Sequence, residues 1–515
     1  MEMTPDLSIF IIGIAPIIWL FFAFCILRLP GHIACPSGLL IAAVLALAFM
    51  SMTPKDLATA TLEGFIFALW PILLVIFAAM ILYKYSVASG GMETIKKLLV
   101  GITRDKRILV LILAWGFGSF LEGIAGFGAP VLIPGSILVS LGFSPMFSIV
   151  SCLVANSIPT PFATLGIPVT TLASVTGLDA GLLGFNISLQ LFIPCLIIPF
   201  FLVALTGGGF RAIKGVGLIT LISGLSLALP MLFVSRFIGP ELPALLGSIS
   251  AILCITLASK KFYKDNAYNK QFQFDSQLPA SPQDIRPLSI SQSLLPFAIV
   301  LVLMTTTRLI GPVNEALSRL KADIIVYSGS DAAALDFAFL LTPGILILIS
   351  TFLACLLQNF GVKKLFLIIK STIVESRNMS ITIITIVAMA KIMDYSGMTN
   401  SIALVLIAVF SVFYPLIAPV IGMFGTFITG SNTTCAILFG NLQAEAALSI
   451  GANPSWIVSS NLSAAALGKM ISPQSVAIGL RIGDLDGREG DIIRQTLKYA
   501  LFCTGIVCLI TYFFF

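Results

Sequence analysis

Long apolar runs alternate with short polar intervals along the whole chain. Runs of this kind cover about residues 7–27, 34–52, 60–83, 183–206, 215–234, 241–259, 291–309, 336–358, 377–394 and 495–515. A helix that crosses a bilayer takes roughly 20 residues, so each run is a candidate span. The polar stretches 261–290 and 310–335 read as the two long loops. Two further regions, 108–176 and 415–479, are as apolar as the rest but are cut into shorter pieces. Gly123, Gly126, Gly128 and Pro130 interrupt 108–143, while Pro159 and Pro161 interrupt 146–176. The later breaks fall at Gly430-Ser431-Asn432-Thr433-Thr434 and between Gly468 and Pro473. The pattern predicts an all-α polytopic membrane protein with about 12 spans and two re-entrant hairpins.

Composition narrows the class. Hydrophobic residues make up 58% and charged residues 10%, against about a quarter charged in soluble domains. The first run lacks a basic leader and a small-residue cleavage site, so it reads as the first span. Nine cysteines, among them Cys25, Cys152 and Cys435, sit singly with no Cys-x-x-Cys, as small hydrophobes do. His32 is the only histidine, which argues against a His-based hydrolase, a haem or a zinc site. No metal and no cofactor are expected. The net charge of +6 resides mostly in loops, so it does not point to nucleic acid.

Those loops orient the chain. Lys and Arg cluster at Lys84 to Arg107, Arg211/Lys214, Lys260 to Lys270, Lys363 to Arg377 and Arg481 to Lys498. The positive-inside rule places these clusters in the cytoplasm and the N-terminus outside. An internal repeat then appears. Phe117-Gly118-Ser119-Phe120-Leu121-Glu122-Gly123 returns as Phe424-Gly425-Thr426-Phe427-Ile428-Thr429-Gly430, with Tyr85-Ser86 matching Tyr395-Ser396, Asn156 matching Asn461, and Leu178-Asp179 matching Leu485-Asp486. Tyr85 opens a basic, inner loop, whereas Tyr395 opens a stretch whose next basic residue is Lys469. Likewise Asp179 lies in a stretch without Lys or Arg, while Asp486 is flanked by Arg481 and Arg488. The halves, 55–206 and 370–515, are thus read as an inverted-topology pair, with 1–54 and 207–369 as additional scaffold helices. Such pairs hold their ligand near the bilayer midplane.

Each half is expected to contribute one hairpin (108–143; 415–449) and one interrupted span (146–176; 455–479). Unwound backbone survives in a bilayer only where protein buries it or water reaches it, so the breaks should line a cavity. Helices that restart there aim free N–H groups and a positive dipole end at it, which suits a small organic anion. Gly126, Gly128, Asn156, Thr160, Ser431, Asn432, Thr433, Thr434, Asn461, Ser472 and Gln474 are the candidate binding residues. Taken singly, such a polar group can equally cap a broken end or bind helices together; the cluster as a whole points to a ligand. Intramembrane charges are costly, about 2.5–3.5 kcal/mol each at mid-depth; the main ones are Glu122, Lys391, Asp394, Glu445 and Lys469. Glu122, on the first hairpin tip, is the candidate carrier of a coupled proton, and Lys469 the candidate partner of a substrate carboxylate. A structural Glu122–Lys469 ion pair is the competing possibility. Glu445, Lys391 and Asp394 read as structural groups near helix ends.

The same segments resemble the bacterial L-lactate permease family: Phe120 to Val131, Asn156 and Leu165-Gly166-Ile167-Pro168, then Gly430 to Thr434, Leu438-Phe439-Gly440 and Gly468 to Gln474. The likeness covers nearly the whole chain. It implies uptake of L-lactate, and often D-lactate and glycolate, by proton symport across the bacterial cytoplasmic membrane. It also implies an elevator, as in members of the broader superfamily; hairpins and broken spans are then expected to move against a scaffold, with the basic stretch 92–106 and its apolar counterpart 399–414 as the arms joining the two. The chain departs from the family pattern at Asn432, where Asp is frequent, and at Ile124, where a small residue is. A sodium-coupled or exchange carrier of another carboxylate or sulfonate is the alternative. A lipid-modifying enzyme would need clustered acids, bases or metal ligands. Beyond substrate, proton and lipid, a homodimer is the one further partner left open.

Overall fold

The computed structural model describes residues 7–514 except 28, 127, 265, 275–287, 330–333, 481, 483–484 and 486–487. The face assigned to Asp486 therefore lies outside the described residues. Among the described residues, eight helices have the length and composition to cross a membrane. Two bent pairs, Pro145–Asn156 with Thr160–Thr176 and Ala180–Gln190 with Phe192–Thr206, do so together across bends of 70° and 46°. The run 183–206 is thus not one straight span. Pro194 has no N–H to return to the Gln190 carbonyl, and the helix bends there.

The fold is nearly all helical, with one correction. Strand β1 (Lys321–Ile325) pairs antiparallel with β2 (Ala334–Ala338), Lys321 facing Ala338. The span expected at 336–358 instead begins at Pro343, in the first helical turn where its missing N–H costs nothing. A second difference is the helix Val362–Glu375, which the basic cluster had marked as loop. Its Phe366, Leu367, Ile373 and Val374 are exposed alongside Lys363, Lys364 and Lys370.

The interrupted segments form as their glycines and prolines dictate. The first hairpin is Lys106–Ile124 and Ala129–Ser140, with Gly126 and Gly128 between them at positive φ. The second is Tyr414–Thr429, Gly430 and Asn432–Ser449. The first broken span leaves helical geometry at Thr164, Leu165 and Gly166, whose φ values are +50°, +56° and +78°. A non-glycine residue in that region costs about 1–3 kcal/mol, so surrounding packing must hold it. Gly166 supplies that packing: lacking a Cβ, it sits directly on the Pro240 carbonyl. The second broken span runs Pro454–Gly468, a short turn Lys469–Ile471, and Pro473–Leu480. Gly422 abuts the Asn461 carbonyl and Gly468 the Met423 carbonyl, so this span and the second hairpin touch backbone to backbone.

Polar contacts sort the connecting segments into two sets. Ser328 Oγ donates to Asp56 at 2.6 Å, and the Tyr327 ring stacks on Tyr395 with centroids 3.7 Å apart. Elsewhere, Tyr85 donates to Gln358 at 2.8 Å and Lys84 pairs with Glu375 at 2.7 Å. Fully buried Arg107 ties three loops together, bonding Asp105, the carbonyls of Ala212 and Lys214, and Asn269. The two tyrosines equivalent in the repeat thus sit with segments to which the charge pattern gives opposite faces.

Candidate functional site

All four breaks open on one cavity of about 770 Å³. It brings together Glu122, Gly126, Gly128, Asn156, Thr160, Ser431, Asn432, Thr433, Thr434, Lys469 and Gln474. Four helices start at this cavity: Ala129–Ser140, the segment resuming after Gly166, Asn432–Ser449 and Pro473–Leu480 each place first-turn residues in its wall. Each N-terminus carries about half a positive charge in partial charges on its free N–H groups. Four converging N-termini make the cavity attractive to an anion.

Lys469 spans the junction between the two halves. Its Nζ donates to Glu122 Oε1 at 2.7 Å; the Glu122 side chain is fully buried and that of Lys469 is 16% exposed. The ion pair weighed against the functional reading is therefore present. It is not saturated, however. Among the described residues five buried side-chain polar atoms lack a partner, and three of them, Glu122 Oε2, Asn156 Oδ1 and Asn432 Nδ2, belong to residues that line the cavity. Buried polar atoms without partners are rare and costly, about 1–3 kcal/mol each. Three of the five thus gather at this one cavity.

Several neighbours only hold the site in shape. Ser431 caps the second tip by accepting from the Thr434 N–H at 3.2 Å, Thr429 donates to Gly425 O at 2.8 Å, and Thr160 donates to the Asn156 carbonyl. Asn461 and Ser472 are not in the cavity wall. Asn461 accepts from Gln443 Nε2 at 3.3 Å, within a buried cluster that also holds Tyr414. Ser472 is the cap of Pro473–Leu480, accepting from Ser475 N at 3.2 Å. The repeat equated Asn461 with Asn156, but Asn156 ends its helix, whereas Asn461 lies about two turns before Gly468. Ser157, Thr164, Thr429, Ser475 and His32 also line the cavity and were not singled out. Thr164 follows Pro161, and Ser475 follows Pro473, by a few residues, and that nearness to a proline break is the signal that would have found them.

A second buried pair lies apart from the cavity. Glu63, a charge within the run 60–83 that the sequence reading passed over, pairs with Lys391 at 2.8 Å. Asp394 accepts from Thr399 and Asn441, both at 2.6 Å, and Glu445 is exposed.

The pattern of the L-lactate permease family matches residues 9–515. The chain belongs to the L-lactate permease family. It is 45% identical over 450 residues to the L-lactate permease of Streptococcus iniae, covering 87% of this chain and 92% of that one. It is 33% identical to the glycolate permease GlcA of Escherichia coli, across 97% of this chain and 94% of the other. Among solved structures it is similar to the YdaH transporter of Alcanivorax borkumensis, at 13% identity, 93% and 98% coverage and a TM-score of 0.49. This member of the permease family is a multi-pass membrane protein.

Proposed function

We propose that this permease takes up L-lactate and related 2-hydroxymonocarboxylates, D-lactate and glycolate among them, by proton symport across the bacterial cytoplasmic membrane. The observation that carries the reading is the convergence of four helix N-termini on a cavity holding one unsaturated Glu–Lys pair and two amides with unpartnered atoms. N-termini, Lys469 and the amide N–H of Asn432 suit a carboxylate, while the amide oxygen of Asn156 suits the adjacent hydroxyl. The names of the similar permeases, L-lactate and glycolate, belong to the same chemical class. Glu122 is the proton carrier in this reading, being the carboxylate that lies fully buried at the cavity.

Opposite grouping of Tyr85 and Tyr395 supports the inverted repeat and, with it, an external N-terminus. Hairpins and broken spans then form the moving body of an elevator. Helices Gly91–Val100 and Met398–Phe410 are its arms, and the remaining spans its scaffold. The test is radiolabelled lactate uptake into proteoliposomes under an imposed proton or sodium gradient, with glycolate, pyruvate and dicarboxylates as competitors. Accumulation under the proton gradient, inhibited by glycolate, is expected. Accumulation only under sodium overturns proton coupling, and inhibition only by dicarboxylates overturns the substrate class.

A further inference from the structure

We infer that Lys469 is shared between Glu122 and the substrate carboxylate, and that its passage from one to the other makes proton uptake compulsory and transport electroneutral. This rests on the symport reading above and adds the device that enforces it.

Glu122 is wholly buried, with one oxygen on Lys469 at 2.7 Å and the other unpartnered. Lys469 reaches the cavity from a short turn rather than from the middle of a regular helix. Its ammonium has three hydrogens, and Glu122 takes one of them. The other titratable groups in the cavity wall, among the described residues, are His32, Cys35 and Glu489. The helices packed on the Glu122 segment, Leu74–Ala88, Ala129–Ser140, Pro145–Asn156, Ala163–Thr176 and Pro243–Phe262, add no carboxylate or ammonium to that wall. Glu489 is exposed and His32 half-buried, so among the described residues the enclosed charge is that of the Glu122–Lys469 pair, and it sums to zero.

A monocarboxylate that enters adds one negative charge and competes for the ammonium. When the substrate takes Lys469, the Glu122 carboxylate is left buried without a counter-charge, which a low-dielectric site does not tolerate. A proton from the open, water-filled side then bonds to Glu122, forming a neutral carboxyl. Lys469 keeps its own protons throughout, and the enclosed charge returns to zero. On release the proton leaves and the original pair re-forms. Either half-loaded state encloses a net charge: substrate alone leaves minus one, proton alone plus one. Both are held back from crossing, which ties one proton to each anion without slippage.

Two measurements test this. In proteoliposomes, lactate accumulation should follow a pH gradient and be unmoved by a potassium-diffusion potential of either sign. In detergent, lactate added to weakly buffered protein should draw one proton from solution per anion bound, and Glu122→Gln should lose that uptake. Lys469→Met alone leaves Glu122 unpaired and can fail to fold, so the double variant E122Q/K469M provides the second arm. It should melt as the parent does, bind lactate at least about tenfold more weakly, and take up no proton. Potential-driven accumulation by the parent overturns the shared lysine, as does proton uptake that survives Glu122→Gln and is removed by His32→Gln. A parent that accumulates no lactate under a pH gradient overturns the symport reading instead, so the two failures are distinct.

Discussion

Two buried Glu–Lys pairs of nearly equal length have opposite surroundings. In Glu63–Lys391, Glu63 Oε1 accepts from Lys391 at 2.8 Å and from the Tyr395 hydroxyl at 2.7 Å, while Oε2 accepts from the Tyr327 N–H at 3.2 Å. The Lys391 ammonium also stands 5.5 Å from the Phe67 ring centre and 5.4 Å from that of Tyr395. In Glu122–Lys469, one carboxylate oxygen has no partner, and the ammonium faces a cavity instead of aromatic rings. A pair whose two carboxylate oxygens are both bonded locks its helices, since any rearrangement strands a charge. A pair left partly unfilled has capacity for something that comes and goes. Saturation of the carboxylate, more than burial or distance, separates the two pairs, and in the proposed symport the open one is the working pair.

The largest effect that would break this contrast lies at the working pair. Glu122→Gln should abolish pH-driven lactate accumulation, with the internal concentration settling at the external one. Uphill uptake by that variant would remove Glu122 from coupling and leave both pairs structural.

Next in size is the loss of the locked pair's ammonium. Lys391→Met leaves Glu63 buried among groups that cannot neutralise it, and breaking a buried pair from one side costs about 3–5 kcal/mol. Reduced yield and a clearly lowered melting temperature in detergent are expected. A melting point equal to the parent's would mean that Glu63 is not locked, and the distinction by saturation would fail.

Much of this was legible in the chain. Gly126, Gly128 and Gly430 announce turns because left-handed backbone favours glycine, and a break inside an apolar run must be sheltered. Glu122 and Lys469 stood out because charges are scarce in lipid. What escaped depended on partners distant in sequence. Glu63 could not be ranked without knowing that Lys391, Tyr395 and Tyr327 surround it. Asn461 could not be told from Asn156, since the repeat aligns the residues but not their distance from the break. The strand pair Lys321–Ile325 and Ala334–Ala338 was hidden because β2 runs on into the apolar segment that the next helix continues. The cysteines behave as small packing groups: seven of the eight described free ones are buried and Cys254 is intermediate.

A smaller effect sharpens the working side. Asn432 Oδ1 accepts from Thr426 Oγ1 at 3.3 Å while its Nδ2 has no partner, at the start of an 18-residue helix. If that amide donates to substrate, Asn432→Ala removes one hydrogen bond to a charged group, about 1.5–3 kcal/mol. KM for lactate should then rise roughly ten- to hundred-fold, with the melting temperature nearly unchanged. An unaltered KM would transfer the carboxylate to Lys469 and the helix N–H groups alone.

The smallest effect asks whether the locked pair is silent in transport. Tyr327 reaches Glu63 through its backbone N–H and covers Tyr395 with its ring, the planes only 6° apart. Tyr327→Ala keeps the N–H and removes the stacking, worth about 0.5–1.5 kcal/mol beyond the area it buries. Amide exchange in β1 should quicken by roughly three- to tenfold, while lactate uptake keeps the parent's pH dependence. Tyr395, though, lies at the end of Arg377–Tyr395, three residues before the helix Met398–Phe410 that leads into the second hairpin. A change in uptake rate without a change in coupling would therefore mean that the lock restrains that helix, and the two pairs would then share one conformational cycle instead of dividing stability from transport.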